Sequence, residues 1–138
     1  INEFKDLIII VCFSIGFIFS NTQFEQKDIL NVDEAFVVNT LIEENKILIS
    51  WDIKPGYYLY KKSILIKAGK DYLKYKYILK NELKISDEFF GESIILKGAI
   101  QVVAELSDVN LRSLSNIEVI YQGCAQGKYC YPKRVKSI

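Results

Sequence analysis

Residues 46–60 read KILISWDIKPGYYLY, and this stretch carries the pattern that decides the fold. Four of its apolar residues share one parity: Ile47, Ile49, Trp51 and Ile53. A period of two places them on one face of a β-strand. Pro55-Gly56 then gives a turn signal. The run that follows, residues 57–66 (YYLYKKSILI), is rich in the Tyr and Ile that strands favour.

Similar strand patterns recur along the rest of the chain. Candidate strands lie in Glu34–Thr40 (EAFVVNT), in the apolar stretch Ser93–Leu106 (SIILKGAIQVVAEL) and around Ile117, Val119 and Tyr121. We count six to eight strands and find no strongly amphipathic helix. Closely spaced strands without helices predict an all-β fold, an immunoglobulin-like antiparallel β-sandwich. With no repeat or Pro-rich linker, residues 21–138 are predicted to form one domain.

The N-terminal segment, residues 1–20, reads INEFKDLIIIVCFSIGFIFS. Lys5 precedes an apolar run from Leu7 to Phe19. This run is too short to span a membrane, which takes about 20 residues. This shape predicts a secretory signal peptide cleaved near Ser20. A buried N-terminal element and an uncleaved membrane anchor are the alternatives. Cys12 belongs to this segment, so two cysteines remain in the mature chain.

The composition excludes several classes of function. The chain contains no His, which removes Ser-His-Asp and Cys-His nucleophiles and the usual zinc, haem and copper ligand sets. Nucleotide-binding glycine motifs and EF-hand loops are also missing from the sequence. The net charge of +1, with lysines interleaved among acids, argues against nucleic acid. We therefore expect no metal and no organic cofactor, and chemistry would rest on Cys, Tyr, Lys, Asp and Glu.

Two cysteines lie in residues 121–132, YQGCAQGKYCYP, with five residues between Cys124 and Cys130. Gly123 and Gly127 permit a tight turn that would bring the sulfurs within bonding range. A structural staple is the common reading for an exported β-domain. A disulfide that closes so short a loop stabilises the fold by only ~2.4 kcal/mol, against ~4.7 kcal/mol for a loop of 100 residues, which argues against a structural role. The pair is not the CxxC of thioredoxins, which argues against a redox role. The residues alone leave structural and redox roles open.

Three blocks resemble one known family, the N-terminal periplasmic domains of the thiol:disulfide interchange protein DsbD. They are WDIKPGYYLYKK (Trp51–Lys62), DEFFGES (Asp87–Ser93) and YQGCAQGKYCYP (Tyr121–Pro132), in the family's order. The third is the most specific, because it combines the five-residue gap with a leading Gln-Gly and a trailing Tyr-Pro. The resemblance extends from about Asp33 to the end of the chain.

The resemblance implies an immunoglobulin-like domain that acts as a protein-disulfide reductase. In that family the domain takes electrons from a thioredoxin-like C-terminal domain of the same protein, which is supplied through a transmembrane domain. It passes them to periplasmic thioredoxin-fold clients such as disulfide isomerases and cytochrome c maturation proteins. The redox group would be the Cys124–Cys130 disulfide, and the location periplasmic, with the full-length protein anchored in the inner membrane. This chain would be a fragment of that protein or a free-standing version.

The resemblance also assigns roles to individual residues. Cys130 would form the mixed disulfides with partners and Cys124 would resolve them. The cap loop over the sulfurs would comprise Asp87, Glu88, Phe89, Phe90 and Gly91. Phe89 would be the shielding ring, and the tyrosines and acids would lie near the sulfurs. Beside the resemblance, the chemistry suggests Gly91 as a hinge and the acids as aids to proton transfer. Tyr58 and Tyr60 would wall the site or hydrogen-bond to the acids.

Plainer interpretations of the same residues exist. Without the resemblance, Phe89 and Phe90 would be interpreted as core residues. The two acids would then form a solvated turn, and Tyr58 and Tyr60 would lie on the surface of a sheet. Phe90 stands where some relatives have Tyr, so a hydroxyl contact would be lost. The main alternative function is a non-enzymatic immunoglobulin-like binding or adhesion domain with a structural disulfide. A third is a chaperone-like domain that presents a sheet edge to clients.

Overall fold

The computed structural model describes residues 28–106 and 115–138. The predicted signal peptide at residues 1–20 lies outside the described residues and stays a prediction. Within the described ranges, none of the helices has the length and apolar character that crossing a membrane requires.

The described chain has one short α-helix and thirteen β-strands. The Asn31 side chain caps the helix, α1 (Val32–Ala35), by accepting a hydrogen bond from the Asp33 amide at 2.9 Å. A 3-10 turn, Lys61–Ser63, joins β3 to β4. The strands are β1 (Phe36–Glu43), β2 (Lys46–Ile53), β3 (Tyr57–Tyr60), β4 (Leu65–Ala68), β5 (Asp71–Tyr72), β6 (Tyr75–Leu79), β7 (Glu82–Asp87), β8 (Gly91–Leu96), β9 (Ala99–Glu105), β10 (Ile117–Tyr121), β11 (Gly123–Ala125), β12 (Tyr129–Cys130) and β13 (Arg134–Ser137).

These strands form three sheets, with the orders β1-β2-β9-β6, β13-β10-β4-β5 and β12-β11-β3-β8-β7. Their pairings are antiparallel, and the longest hairpin joins β1 to β2 from Phe36↔Ile53 to Glu43↔Lys46. Side chains from all three sheets meet in one apolar core. The fold is therefore the immunoglobulin-like all-β sandwich that the sequence predicts.

Aromatic rings fill the centre of the core. Trp51 is 1% exposed, and its ring packs edge-on against Tyr121 at 5.9 Å between centroids. Phe36 packs in the same way against Tyr131 at 5.6 Å. The parity predicted for β2 is confirmed, since all four residues of the predicted face are buried: Ile47, Ile49, Trp51 and Ile53.

The prediction of six to eight strands was too low, because backbone turns divide several apolar runs. The stretch Ser93–Leu106 is split at Gly98, whose φ of +71° suits glycine, so β8 and β9 lie in different sheets. The 3-10 turn at Lys61–Ser63 similarly divides residues 57–66. The strand predicted at Glu34–Thr40 begins only at Phe36, because the Asn31 cap starts a helix before it.

Strand β3 positions the two segments that matter for function. In its sheet, the cysteine hairpin (β11 and β12) lies on one side and the β7–β8 hairpin on the other. Alternate side chains of β3 point to opposite faces. Tyr57 and Leu59 enter the main core, while Tyr58 and Tyr60 form a smaller buried cluster with Ile95 and Cys124. One four-residue strand thus links the apolar core to the cysteines.

Candidate functional site

Cys124 and Cys130 form a disulfide across the hairpin of β11 and β12. The two residues lie directly opposite each other in the antiparallel register, with their Cα atoms 4.0 Å apart. The connecting turn contains Gly127 at a φ of +70°, and the Lys128 amide donates to the Ala125 carbonyl at 3.0 Å. The predicted turn between strands therefore brings the sulfurs together.

The two sulfurs differ in access to solvent. Cys124 is 0% exposed, whereas Cys130 is partly exposed near the end of the hairpin. Gly123 allows β11 to approach β3 closely, because a Cβ at this position would lie 2.4 Å from the Tyr58 carbonyl oxygen. A partner thiolate approaching from solvent would thus meet the sulfur of Cys130 before that of Cys124.

Tyr58 and Tyr60 wall the buried side of the disulfide. They are 1% and 7% exposed, so their interpretation as sheet-surface residues is wrong. The Tyr60 hydroxyl oxygen lies 3.2 Å from Cys124 Sγ and 3.7 Å from Cys130 Sγ. Its ring meets Tyr58 edge-on at 5.5 Å between centroids. Tyr60 is therefore a polar group within reach of both sulfurs.

A single carboxylate connects these tyrosines to the neighbouring hairpin. Asp87 Oδ2 accepts hydrogen bonds from the hydroxyls of Tyr58, at 2.6 Å, and Tyr60. Its Oδ1 accepts from the backbone amides of Phe89 at 3.1 Å and Phe90 at 2.7 Å. Asp87 therefore holds the loop backbone with one oxygen and the two tyrosines with the other.

The sequence left this double role of Asp87 open, since it suggested proton transfer and, as one alternative, hydrogen bonds from Tyr58 and Tyr60 to the loop acids, but no bond to the loop amides. Half of it had a local signal, since an Asp that opens a short turn before a glycine commonly bonds the amides that follow. Gly91 fits that pattern with a φ of +73°. The other half depends on β7 lying in the same sheet as β3, which no local pattern shows.

The two phenylalanines of the loop are both partly exposed, at 38% for Phe89 and 57% for Phe90. The interpretation of this pair as ordinary core packing is therefore wrong. The Phe90 ring packs edge-on against Tyr60 at 4.9 Å between centroids. Phe89 is the more covered of the two, and its predicted role as the shielding ring stays a prediction. The predicted cap loop and the disulfide meet through Tyr60.

The carboxylates of the loop act on the ionisation of the two tyrosines. Burial and the hydrogen bond to Asp87 raise the pKa of Tyr58 to about 12. The same two causes raise the pKa of Tyr60 well above its ordinary value. Burial acts to raise the pKa of Asp87, but the tyrosine hydroxyls and loop amides outweigh it and lower that pKa. At neutral pH Asp87 is ionised and both tyrosines carry their protons.

This charge state revises the proton-transfer roles. An ionised Asp87 has no proton to give to a departing thiolate, whereas the neutral hydroxyl of Tyr60 can donate a hydrogen bond to it. Glu88 is exposed and acts on the site through its negative charge, which helps to raise the pKa of Tyr58. The arrangement suits chemistry in which a sulfur gains and loses negative charge beside Tyr60.

Comparison with protein families gives a match over most of the chain. The family described as "Thiol:disulfide interchange protein DsbD, N-terminal" matches residues 26–138. The chain is 37% identical to the thiol:disulfide interchange protein DsbD of Photorhabdus laumondii over 122 residues, covering 86% of this chain and 21% of that protein. It is 34% identical to the protein of the same name from Pasteurella multocida, covering 83% of this chain and 19% of the relative. The chain spans about a fifth of these curated relatives.

Among the solved structures that resemble this fold are two from Neisseria meningitidis. One is the DsbD N-terminal domain in the reduced form, with a TM-score of 0.68 and 25% identity, covering 81% of this chain and 89% of that one. The other is the complex between the DsbD and PilB N-terminal domains, with a TM-score of 0.62 and 25% identity, covering 80% and 86% respectively.

Proposed function

The chain belongs to the family of DsbD N-terminal domains, and from this premise we propose that it relays electrons by thiol–disulfide exchange. The donor is a thioredoxin-like domain of the same system, and the acceptors are periplasmic thioredoxin-fold proteins, including disulfide isomerases and cytochrome c maturation proteins. The redox group is the Cys124–Cys130 disulfide, with no other cofactor. One observation carries the proposal: a disulfide with one accessible sulfur beside a loop held by hydrogen bonds.

Reduction of the domain proceeds by two exchange steps. A donor thiolate attacks the Sγ of Cys130, the S–S bond breaks, and Cys124 leaves as a thiolate. A second donor thiolate then attacks the donor sulfur of the mixed disulfide and releases Cys130. The domain gains two electrons and two protons, and the donor becomes a disulfide. Reversal of these steps with a client disulfide returns the domain to its oxidised form.

Tyr60 assists the departure of Cys124. Its hydroxyl lies 3.2 Å from the Sγ of that residue, which is buried away from water. A thiolate formed there is costly unless a hydrogen bond stabilises it. Tyr60 supplies this bond by turning its proton from Asp87 towards the sulfur, while Tyr58 continues to donate to the carboxylate. Asp87 in turn positions both hydroxyls.

The loop of residues 87–91 acts as a gate over the sulfurs. Its closed form is held by the two amide bonds to Asp87 and by the contact of Phe90 with Tyr60. A docking partner displaces the aromatic rings, with Phe89 as the main shield and Gly91 as the hinge. The closed loop limits the access of other thiols to the disulfide. Electrons are therefore exchanged mainly with partners that dock and open the loop. The complex of a relative with the PilB N-terminal domain supports function through protein docking.

A periplasmic location agrees with the proposed chemistry, and the full-length protein would be anchored in the inner membrane. Disulfides persist in oxidising compartments and are rare in the reducing cytosol. Family membership and the disulfide of this domain support the assignment.

A trapping experiment tests the relay. A Cys124→Ala variant retains the accessible sulfur of Cys130 but has no resolving thiol, so a mixed disulfide with an oxidised thioredoxin-fold protein should accumulate on a non-reducing gel. The matched control, Cys130→Ala, leaves only the buried sulfur and should trap far less. Equal trapping by both variants would contradict the polarity. If neither variant traps any thioredoxin-fold protein, the relay gives way to the binding domain with a structural disulfide.

A further inference from the structure

A cleft of about 560 Å³ opens beside the disulfide site, between its sheet and the sheet that contains β4 and β10. It shares Tyr60 and Phe90 with that site. Its lining also includes three lysines, one acid and an apolar side chain: Lys62, Lys84, Lys133, Glu92 and Ile94.

The charge of this cleft is positive. Lys84 pairs with Glu92 at 2.8 Å, so these two charges offset one another. Lys62 and Lys133 are exposed, and neither takes part in an ion pair found among residues 28–106 and 115–138. The cleft therefore carries two uncompensated ammonium groups, although the whole chain has a net charge of only +1.

The cleft also has apolar surface that water covers in the free domain. Phe90 is 57% exposed and Ile94 is 39% exposed. Exposed apolar side chains beside unpaired cations form a surface suited to a chain segment with both acidic and apolar groups. A small inorganic anion would satisfy the lysines but leave both apolar side chains in water.

We propose that this lysine cleft docks an acidic segment of the protein partner that reacts at the Cys124–Cys130 disulfide. The inference rests on the proposed function and adds to it the chemistry of the partner's contact surface. The position of the cleft supports it, because Tyr60 both lines the cleft and lies 3.2 Å from Cys124 Sγ. A segment seated there contacts Phe90, so that docking and the opening of the gate occur at one place.

The proposal is tested with a double variant, Lys62→Gln/Lys133→Gln. Its matched control, Lys70→Gln/Lys76→Gln, removes the same charge from exposed lysines that do not line the cleft. The probe is the reduced form of the thioredoxin-fold protein that Cys130 traps in the experiment above. Dithiothreitol, a small uncharged reductant, reports the intrinsic reactivity of the disulfide.

At low ionic strength the cleft variant should react with the protein probe about tenfold more slowly than the control variant, because steering by charge acts on the association rate. The difference should shrink at about 0.5 M salt, where exposed charges are screened. Lys62→Glu/Lys133→Glu should slow the reaction further. The rate with dithiothreitol should be equal in all variants.

Equal rates for the cleft and control variants with the protein probe would overturn the proposal. It would also be overturned if the cleft variant kept its exchange rate but lost binding to vesicles that contain phosphatidylglycerol, because the lysines would then contact a membrane. These outcomes leave the relay function intact. A wild-type domain that reacts with dithiothreitol but with no thioredoxin-fold protein would overturn both proposals.

Discussion

The two faces of β3 carry similar residues in different surroundings. On the core face, the Tyr57 hydroxyl accepts a hydrogen bond from the Leu30 amide at 2.8 Å and donates to the Asp28 carbonyl at 3.3 Å. On the sulfur face, the hydroxyls of Tyr58 and Tyr60 donate to a carboxylate that also holds a loop. A backbone partner fixes a hydroxyl in place, whereas the carboxylate at the end of β7 would release it in the proposed opening of the loop.

The two faces of β3 therefore serve different properties: one face contributes to stability and the other to disulfide exchange. Leu59 is 0% exposed and contributes to the main core. Tyr60 lies in the small cluster with Cys124 and next to the partly exposed Cys130. Changes on the core face should therefore alter unfolding, and changes on the sulfur face should alter exchange.

The largest effect is expected on the core face. Leu59→Ala should lower the free energy of unfolding by about 2–5 kcal/mol, because it leaves a cavity among buried side chains. The exchange rate per folded molecule should stay the same. Urea denaturation measures the first quantity, with Leu41→Ala as control, since Leu41 is 53% exposed. If both variants lost equal stability, the division between the two faces would not hold.

The next effect is expected on the sulfur face. Tyr60→Phe should slow reduction by a thioredoxin-fold donor by about 10- to 100-fold, because the leaving thiolate loses a hydrogen bond of about 1.5–3 kcal/mol. Tyr57→Phe, its counterpart on the core face, should leave that rate unchanged while costing about 1 kcal/mol of stability for a lost hydrogen bond. Timed alkylation of the free thiols measures the rate of reduction in both variants, and urea denaturation measures their stability. Equal slowing in the two variants would show that the hydroxyl of Tyr60 acts only through the fold.

A pH experiment sharpens the role of Asp87. Its pKa is lowered in the folded domain, so its bonds to the loop are fully present above the unfolded value of about 3.9 and are lost as pH falls through the lower folded value. Reduction by a phosphine, which remains active in acid, should therefore accelerate several-fold across this window. Asp87→Asn should abolish that acceleration and bring the pKa of Tyr58 down from about 12. If the Asp87→Asn variant kept the wild-type pH profile, Asp87 would not be the group that holds the loop closed.

The smallest effect is expected for the rings of the loop. Phe89→Ala should raise the rate of reduction by glutathione by a few-fold, because Phe89 is the more covered ring and is the predicted shield of the sulfurs. Phe90→Ala should raise it less, since that ring contacts Tyr60 and is more exposed. The reverse order would transfer the shielding role to Phe90.

Much of the fold was predictable from local pattern. The alternation of Ile47, Ile49 and Trp51 predicts a buried strand face, because side chains of a strand alternate whatever its neighbours are. The cysteine hairpin was predictable for a similar reason, since Gly123 and Gly127 lie close to both cysteines in the chain. Strand number was less predictable, because the turns at Lys61–Ser63 and Gly98 interrupt apolar runs without changing their composition.

The disulfide site was predictable only in part. The resemblance of three blocks identified its parts and implied that they lie near the sulfurs, but it left open whether the tyrosines bond to the acids. Asp87 bonds Tyr58 across 29 positions of sequence, and this contact requires β7, β8 and β3 to pair in that order. Lys62 and Lys133 line one cleft for the same kind of reason, since the sheets bring distant segments together.

The sequence by itself determined the β-class of the fold, the face that β2 buries and the ability of Cys124 to reach Cys130. These features depend on backbone period and short loops, which act between residues close in the chain. Only the tertiary structure decided which sulfur is accessible, that Tyr60 lies beside both sulfurs, and that the Asp87 carboxylate joins the loop to the tyrosines. Those features depend on strand order, which results from burying the apolar faces of three sheets together.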